Sequence, residues 1–220
     1  MHEISLETAE KIPNSIFISL EFDRIIRQQN FATDHLYNIH FSMLPKYRGV
    51  YTSVMPILNN EKYSGVTFHN IDHGIDTGDI IAQKKFPIDF TDTAQDLYLK
   101  YLKHGTELVK KMIDHLLADD KIESIPQNPL EASYYSRSVI DYNDLQIDLK
   151  KSAVEIYNQW RAFYFPEYQI PKIHGYSIFG AKITDKRSSE KPGTIVEKTD
   201  CKISIATIDY DLDLIITTSS

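Results

Sequence analysis

Cysteine is almost absent from this chain, since Cys201 is the one thiol among its 220 residues. The sequence therefore excludes an internal disulfide and is consistent with a reducing compartment. It also lacks an apolar run long enough to span a bilayer, and its first residues have neither the basic start nor the apolar core of a secretory signal. We therefore expect a cytoplasmic protein that has no membrane partner.

Positive charge is also scarce, because 24 Lys and Arg stand against 31 Asp and Glu, giving a net charge of −7. This balance argues against a nucleic-acid partner, whose phosphates bind to basic surfaces. A glycine-rich G-x-G-x-x-G phosphate loop is missing from the sequence as well. The remaining composition, 42% hydrophobic and 25% charged, is typical of a globular protein with one large domain or two smaller ones.

Two polar residues interrupt the apolar segment 36–41, which the pattern predicts to be a buried strand. Asn38 and His40 are two positions apart, so both side chains point to the same face of that strand. With Asp76, they form a chemically useful set: an amide donates to an oxyanion, an imidazole moves a proton, and a carboxylate orients the imidazole. The alternative interpretation is a turn cap, a core histidine and an ordinary loop aspartate.

This region resembles the family of formyltransferases that use 10-formyltetrahydrofolate. The N-x-H-x-S-L-L-P motif of that family corresponds to residues 38–45, with Met43 in place of one leucine. Its G-V-T-x-H and D-x-G motifs correspond to residues 65–69 and 76–78. The resemblance implies an α/β fold, in which an incomplete Rossmann-like formyltransferase core is followed by a small α+β C-terminal domain.

The resemblance also implies a reaction and its catalytic residues. The formyl group of 10-formyltetrahydrofolate would pass to a primary amine without a metal. Asn38 and His40 would hold the developing oxyanion, while Asp76 would tune His40 and take up the proton of the amine.

Two further sets of residues lie where the family binds its substrates. The folate would contact the loops around Phe22, Asp23, Arg24, Asp72, Gly74 and Ile75. The acceptor would contact Lys46, Tyr47, Arg48 and Arg161. The alternatives are an amphipathic turn, a solvated basic loop and, for Arg161, a surface ion pair.

Hydrophobic periodicity divides the chain further. It predicts helices over 93–118 and 152–165, a short helix or turn over 21–29, and strands over 15–20, 64–71, 79–88, 176–184, 194–198, 202–208 and 212–217. The expected domains are a catalytic core at 1–125, a connector at 126–149 and a C-terminal domain at 150–220. Family members normally carry strands before residue 15, so we expect an N-terminally truncated form that is poorly soluble and weakly active or inactive.

The acceptor predicted for this chain is a nucleotide-linked amino sugar of the dTDP-amino-dideoxyhexose type. Residues 159–168 resemble the nucleotide-sugar branch of the family, and the negative charge disfavours tRNA. Such an enzyme would act as a homodimer in polysaccharide (O-antigen) biosynthesis. A methionyl-tRNA or other amine formyltransferase is the alternative within the family. Two other classes stay open: a non-catalytic folate-binding protein, and a metal-dependent hydrolase that uses His69, Asp72 and His73.

Overall fold

The structure is a computed structural model, and it describes residues 3–118 and 122–216. Its helices are α1 (Leu6–Ala9), α2 (Met55–Leu58), α3 (Ala94–Leu117) and α4 (Ala153–Phe163). Its strands are β1 (Phe17–Leu20), β2 (Leu36–His40), β3 (Arg48–Gly49), β4 (Tyr63–Asn70), β5 (Ile80–Pro87), β6 (Tyr134–Tyr135), β7 (Lys172–Ile173), β8 (Tyr176–Ile183), β9 (Ile195–Lys198), β10 (Lys202–Ile205) and β11 (Leu212–Ile216). The mixed helices and sheets confirm the α/β class predicted from the sequence.

The chain divides into two compact units, each built from several segments. Unit 1 comprises Met1–Thr52, Tyr63–Pro87 and Leu99–Arg137, and unit 2 comprises Ser53–Lys62, Ile88–Tyr98 and Ser138–Ser220. The linear domain bounds expected from the sequence stay a prediction. No helix in the described part of the chain is long and apolar enough to cross a bilayer.

Unit 1 contains a sheet with the strand order β1-β2-β4-β5. Strand β1 runs parallel to β2, whereas β2, β4 and β5 pair antiparallel. The register between β2 and β4 sets Asn38 opposite His69 and His40 opposite Thr67. The apolar side chain of Ile39, between the two polar residues, is buried in the core. Alternation along β2 therefore directs the polar pair to one face.

Helix α3 begins where the sequence predicts it, because Thr93 and Asp96 exchange hydrogen bonds at its start. Such reciprocal bonds satisfy amide groups that a helix N-terminus leaves without partners. In unit 1 the ring of Tyr101 stacks on Phe41 at a centroid distance of 5.1 Å. This contact joins α3 to the residue that follows β2.

Unit 2 contains α4 and a sheet with the order β7-β8-β11-β10-β9. Ser152 and Glu155 form a capping box at the start of α4, which fixes where this helix begins. The apolar face of α4 packs against the sheet, and the indole of Trp160 donates to the carbonyl of Ile178 at 3.1 Å. The small C-terminal α+β unit is thus a helix laid on an antiparallel sheet.

Two segments differ in detail from the sequence-based interpretation. Residues 21–27 are irregular, with bends at 21, 23 and 24, and a 3-10 turn follows at Gln28–Asn30. The segment after Pro45, for which a solvated basic loop was one interpretation, ends in β3, which pairs in parallel with β6. The partner strand β6 lies in the segment that the sequence predicts to be a connector, so backbone pairing brings that segment to unit 1.

Candidate active site

Three polar side chains predicted to act together do meet in unit 1. The amide nitrogen of Asn38 donates to Oδ1 of Asp76 at 3.2 Å, and Nδ1 of His40 lies 3.5 Å from Oδ2 of the same carboxylate. Strand β2 presents the first two residues on one face, and the loop between β4 and β5 supplies Asp76. Proximity of an amide, an imidazole and a carboxylate is the arrangement that acyl or formyl transfer needs.

His40 holds one defined tautomer when its ring is neutral. Its Nε2 lies 2.7 Å from the carbonyl oxygen of Tyr47, and a carbonyl only accepts, so Nε2 carries a hydrogen. The lone pair of the neutral ring is therefore on Nδ1, which faces Asp76. Burial lowers the pKa of His40 below its ordinary value, although the Asp76 carboxylate opposes this effect. The ring is thus neutral near pH 7 and can receive a proton at Nδ1.

Asp76 stays ionised in this site. Burial alone would raise its pKa, but the nearby His40 and His69 rings and the backbone amide of Gly49 outweigh burial and bring the pKa to about 2. The Gly49 amide donates to Oδ2 at 2.8 Å. Each carboxylate oxygen therefore faces a donor, which is how a buried negative charge is stabilised.

His69 also lies in the site, although the three residues predicted from the sequence do not include it. It is only 2% exposed, and its Nδ1 donates to the carbonyl of Asn70 at 2.7 Å. Its Nε2 lies 3.2 Å from the amide nitrogen of Asn38 and 3.6 Å from Oδ1 of Asp76. In the neutral ring Nε2 accepts from Asn38, so His69 orients the amide. The antiparallel pairing of β2 and β4 would have revealed this neighbour.

Residues of the predicted connector also reach the site. The side chain of Gln127 donates to the carbonyls of Asp76 and Gly78 at 2.8 and 2.7 Å. The hydroxyl of Ser133 accepts from the amide of Tyr47 at 2.8 Å. Neither residue lies in a motif or a periodic pattern, so the sequence offered no signal for them.

The predicted acceptor residues 46–48 take three different positions. Lys46 is exposed, whereas the Tyr47 ring is buried and stacks on Tyr135 at a centroid distance of 5.7 Å. Arg48 is half-buried, and its Nε and Nη2 donate to Oε1 of Gln127 at 3.1 and 2.7 Å. The Arg48 guanidinium thus has a protein partner, and Lys46 is the side chain of this group that faces solvent.

Arg161 has internal partners within unit 2 and is only 2% exposed. Its Nε donates to Asn158 Oδ1 at 2.9 Å, and its Nη1 donates to the carbonyls of Asp92 and Asp89 at 2.8 and 3.3 Å. A guanidinium buried against backbone carbonyls supports the local structure, and the substrate contact expected from the sequence stays a prediction. We assign Arg161 the role of holding residues 89–92 against α4.

Replacing Arg161 by alanine is therefore expected to destabilise the protein. The change leaves buried acceptors unsatisfied and opens a cavity, which together lower the free energy of unfolding by about 3 kcal/mol. Denaturant titration measures this loss. Arg187→Ala is the matched control, since Arg187 is an exposed arginine over the Tyr210 ring in the same unit and its loss costs less than about 1 kcal/mol. Equal stabilities for the two variants would contradict the structural role.

The residues predicted to contact folate lie on two loops of unit 1. Phe22 and Ile75 expose 42% and 40% of their surface. Arg24 contacts Glu7 at 3.1 Å and lies over the Phe22 ring. Asp23 is exposed.

The loop before Asp76 is held by its own side chains. Asp72 Oδ1 accepts from the amide of Gly74 at 3.0 Å and from the Thr77 hydroxyl at 2.6 Å. The Gly74 amide is therefore already bonded within the loop and does not offer its hydrogen to a ligand.

The hydrolase alternative receives no support from the geometry. His73 is exposed, Asp72 bonds within its loop, and His69 faces Asn38 and Asp76. Across residues 3–118 and 122–216, no group of three or more His, Cys, Asp or Glu side chains is arranged to hold a metal ion.

Comparison with known proteins identifies the family. The model of the Formyl transferase family matches residues 15–113, and that of the Formyl transferase C-terminal domain matches residues 139–218. The chain belongs to the formyltransferase family. Methionyl-tRNA formyltransferases are among its relatives: the protein from Fervidobacterium nodosum is 33% identical, with 95% of this chain and 67% of the relative covered. That from Clostridium tetani is 31% identical, with 93% and 66% covered.

Solved structures give a second view of this formyltransferase. WlaRD, a sugar 3N-formyl transferase solved in the presence of dTDP and 5-N-formyl-THF, is 43% identical with a TM-score of 0.88, and the match covers 99% of this chain and 78% of that one. The N-formyltransferase from Helicobacter canadensis in complex with folinic acid and dTDP-3-aminofucose is 45% identical with a TM-score of 0.88, covering 97% and 78%. The predicted Rossmann-like core with a C-terminal domain is confirmed. The chain spans about two thirds of the length of the methionyl-tRNA relatives.

Proposed function

We propose that this formyltransferase moves the formyl group of 10-formyltetrahydrofolate to the primary amine of a nucleotide-linked amino sugar. The observation that carries this proposal is the pair of sugar N-formyltransferases that match nearly the whole chain at 43% and 45% identity. The methionyl-tRNA enzymes described above reach 33% and 31%. A net charge of −7 also favours a small acceptor over tRNA. A cytoplasmic location, a homodimer and a role in polysaccharide synthesis stay predictions.

The residues of unit 1 fit a folate. The exposed apolar side chains of Phe22 and Ile75 suit a flat heterocycle, and the site described above contains buried polar groups for its reacting end. Residues 22–24 and 72–75 would hold the folate. When bound, 10-formyltetrahydrofolate supplies the formyl carbon at the oxidation level of the product, so no oxidant or reductant is needed.

The bonds and protons exchanged in the transfer determine what the protein must do. A bond forms between the amine nitrogen and the formyl carbon, and the bond from that carbon to the folate nitrogen breaks. The amine loses one proton, and the folate nitrogen gains one. The chain must therefore stabilise negative charge on the formyl oxygen and move one proton.

Asn38 is the donor for the negative charge. In the present structure its amide hydrogens face Asp76 Oδ1 and His69 Nε2, both at 3.2 Å. These partners fix the orientation of the amide, and a change of partner turns a hydrogen to the formyl oxygen. Catalytic hydrogen bonds commonly take their final geometry only with substrate bound.

His40 and Asp76 form the proton acceptor. Nδ1 of neutral His40 carries a lone pair beside the ionised carboxylate, at 3.5 Å from Oδ2. A proton taken from the amine is stabilised between the two groups, because the imidazolium then pairs with the carboxylate. The resulting imidazolium also favours negative charge on the formyl oxygen.

A competition assay tests the acceptor. The purified chain is offered 10-formyltetrahydrofolate with a dTDP-3-amino or dTDP-4-amino dideoxyhexose, or with methionyl-tRNA. The sequence predicts at most weak activity for this chain, so we expect slow formylation of the sugar. We expect a kcat/KM for tRNA at least about 100-fold lower than that for the sugar, since the charge and the fold match favour the sugar. Formylation of tRNA alone would overturn the acceptor. Folate binding without transfer to any amine would favour the non-catalytic class, and activity lost to a chelator and restored by zinc would favour the hydrolase.

A further inference from the structure

The side chain of Gln127 links the backbone of the Asp76 loop to the side chain of Arg48 within unit 1. Its Nε2 donates both hydrogens, one to the carbonyl of Asp76 at 2.8 Å and one to that of Gly78 at 2.7 Å. Its Oε1 accepts from Nε and Nη2 of Arg48 at 3.1 and 2.7 Å. Both ends of the Gln127 amide are thus engaged. Its NH₂ group binds the Asp76 loop, and its oxygen binds the Arg48 side chain of β3.

Only an amide of this length suits the position. Two carbonyl oxygens require a group that donates twice, and the Arg48 guanidinium requires a group that accepts. Glutamate would set a carboxylate oxygen against the two carbonyls, and lysine or arginine would set a cation against Arg48. Methionine has a similar volume but makes none of these bonds. The chemistry of Gln127 therefore matches its surroundings at both ends.

The loop that Gln127 binds carries a residue in an uncommon conformation. Asp76 has φ of 54°, in the left-handed region that costs a residue with a Cβ about 1 kcal/mol or more. Two residues later, an added Cβ at Gly78 would collide with the carbonyl oxygen of Asn70. The loop therefore has little freedom at Gly78, and Gln127 holds the Asp76 backbone from the other side.

The same segment supports His40 through a second contact. The carbonyl of Tyr47 accepts a hydrogen bond from His40, and the backbone amide of the same residue donates to the hydroxyl of Ser133. Strand β3 follows Tyr47 directly and pairs in parallel with β6. The backbone amide of Arg48 also donates to the carbonyl of Ser133 at 2.8 Å. Residues 127–135 thus support the backbone partners of both His40 and Asp76.

We propose that Gln127 is a positioning residue for formyl transfer, holding the Asp76 carboxylate in place opposite His40 from a segment outside the catalytic motifs. This inference rests on the reaction proposed above. Gln127 acts through Asp76, so its effect falls on the placement of the proton-accepting pair. A displacement of about 1 Å at such a site lowers a rate by up to about 100-fold.

Two variants and one control test this role. Gln127→Met removes all four contacts, whereas Gln127→Glu keeps an acceptor for Arg48 and loses both donors to the loop. We expect kcat to fall about 10- to 100-fold in both variants, with thermal unfolding checked in parallel. Asn128→Ala, which removes the cap of the adjacent turn, is expected to keep the wild-type kcat. A Gln127→Glu variant with wild-type kcat would show that pairing with Arg48 is the whole role and would overturn the proposal.

A titration of His40 gives a readout that needs no formyl transfer. The Asp76 carboxylate favours the imidazolium, so its displacement in Gln127→Met is expected to lower the pKa of His40 measured by NMR. An unchanged pKa in a folded Gln127→Met variant would contradict the positioning role. Loss of transfer in the wild type itself would instead refute the proposed reaction, while the titration would still decide the role of Gln127.

Discussion

Replacing His40 by alanine is expected to lower kcat for formyl transfer by about 1,000-fold, within the range for loss of a general base or an oxyanion partner. The variant loses the lone pair on Nδ1 that faces the Asp76 carboxylate at 3.5 Å. The amine then lacks the basic nitrogen that would take its proton, and the imidazolium that would favour charge on the formyl oxygen never forms. Single-turnover kinetics with saturating folate and amine measure the effect on the chemical step.

Folding has to be separated from chemistry, because His40 is 7% exposed and bonds to the Tyr47 carbonyl. The His40→Gln variant retains a donor for that carbonyl but has no basic nitrogen, so we expect it to fold and to lose activity to a similar extent. His35→Ala, which changes an exposed histidine just before β2, is the matched control with wild-type kcat. Near-normal turnover in His40→Gln would refute the proton-transfer role.

The second large effect is expected from Asp76→Asn, which should lower kcat by about 100- to 10,000-fold. Oδ1 faces the amide of Asn38 and Oδ2 faces the amide of Gly49. An asparagine side chain has one oxygen, so whichever way it turns, its NH₂ group meets a donor. The variant therefore loses the charge that stabilises an imidazolium and also disturbs the orientation of Asn38.

The same substitution should change the dependence of stability on pH. The folded-state pKa of Asp76 is about 2, below the ordinary value of 3.8, so the ionised carboxylate stabilises the fold above about pH 4. This contribution, about 2 kcal/mol, is lost as pH falls from about 4 to about 2. Denaturant titrations across this range should show the wild type losing stability relative to Asp76→Asn. Parallel curves for the two proteins would contradict the depressed pKa.

The proximity of the three polar side chains agrees with the sequence analysis, for a physical reason, and their catalytic role stays a prediction. Strand β2 is a short apolar segment in which Asn38 and His40 stand out, and alternation along a strand fixes their common face. The position of Asp76 depended on the resemblance to a family, because a loop residue 36 positions after His40 has no local signal. The strand that carries His69 was predicted from the sequence, but its pairing register with β2 was not. The position of His69 beside Asn38 was therefore missed.

The contacts of Arg161 and Gln127 were beyond sequence reasoning for a different reason. Both side chains bind backbone carbonyls, and every residue carries a carbonyl, so the partner leaves no trace in residue identity. The resemblance to a family suggested a ligand contact for Arg161, and its burial against backbone carbonyls indicates a structural role. Gln127 lay in a proline-containing stretch whose composition indicated only a connector.

The pairing of β3 with β6 bears on how chimaeras of this family should be made. A junction at the sequence-predicted boundary, after residue 125, would take Gln127 and Ser133 from a different parent than the loops they bind. Unit 1 extends to Arg137, so a crossover beyond that residue leaves both supporting side chains with their own partners. Exchanging C-terminal parts to alter acceptor preference should therefore keep residues 126–137 with the catalytic strands.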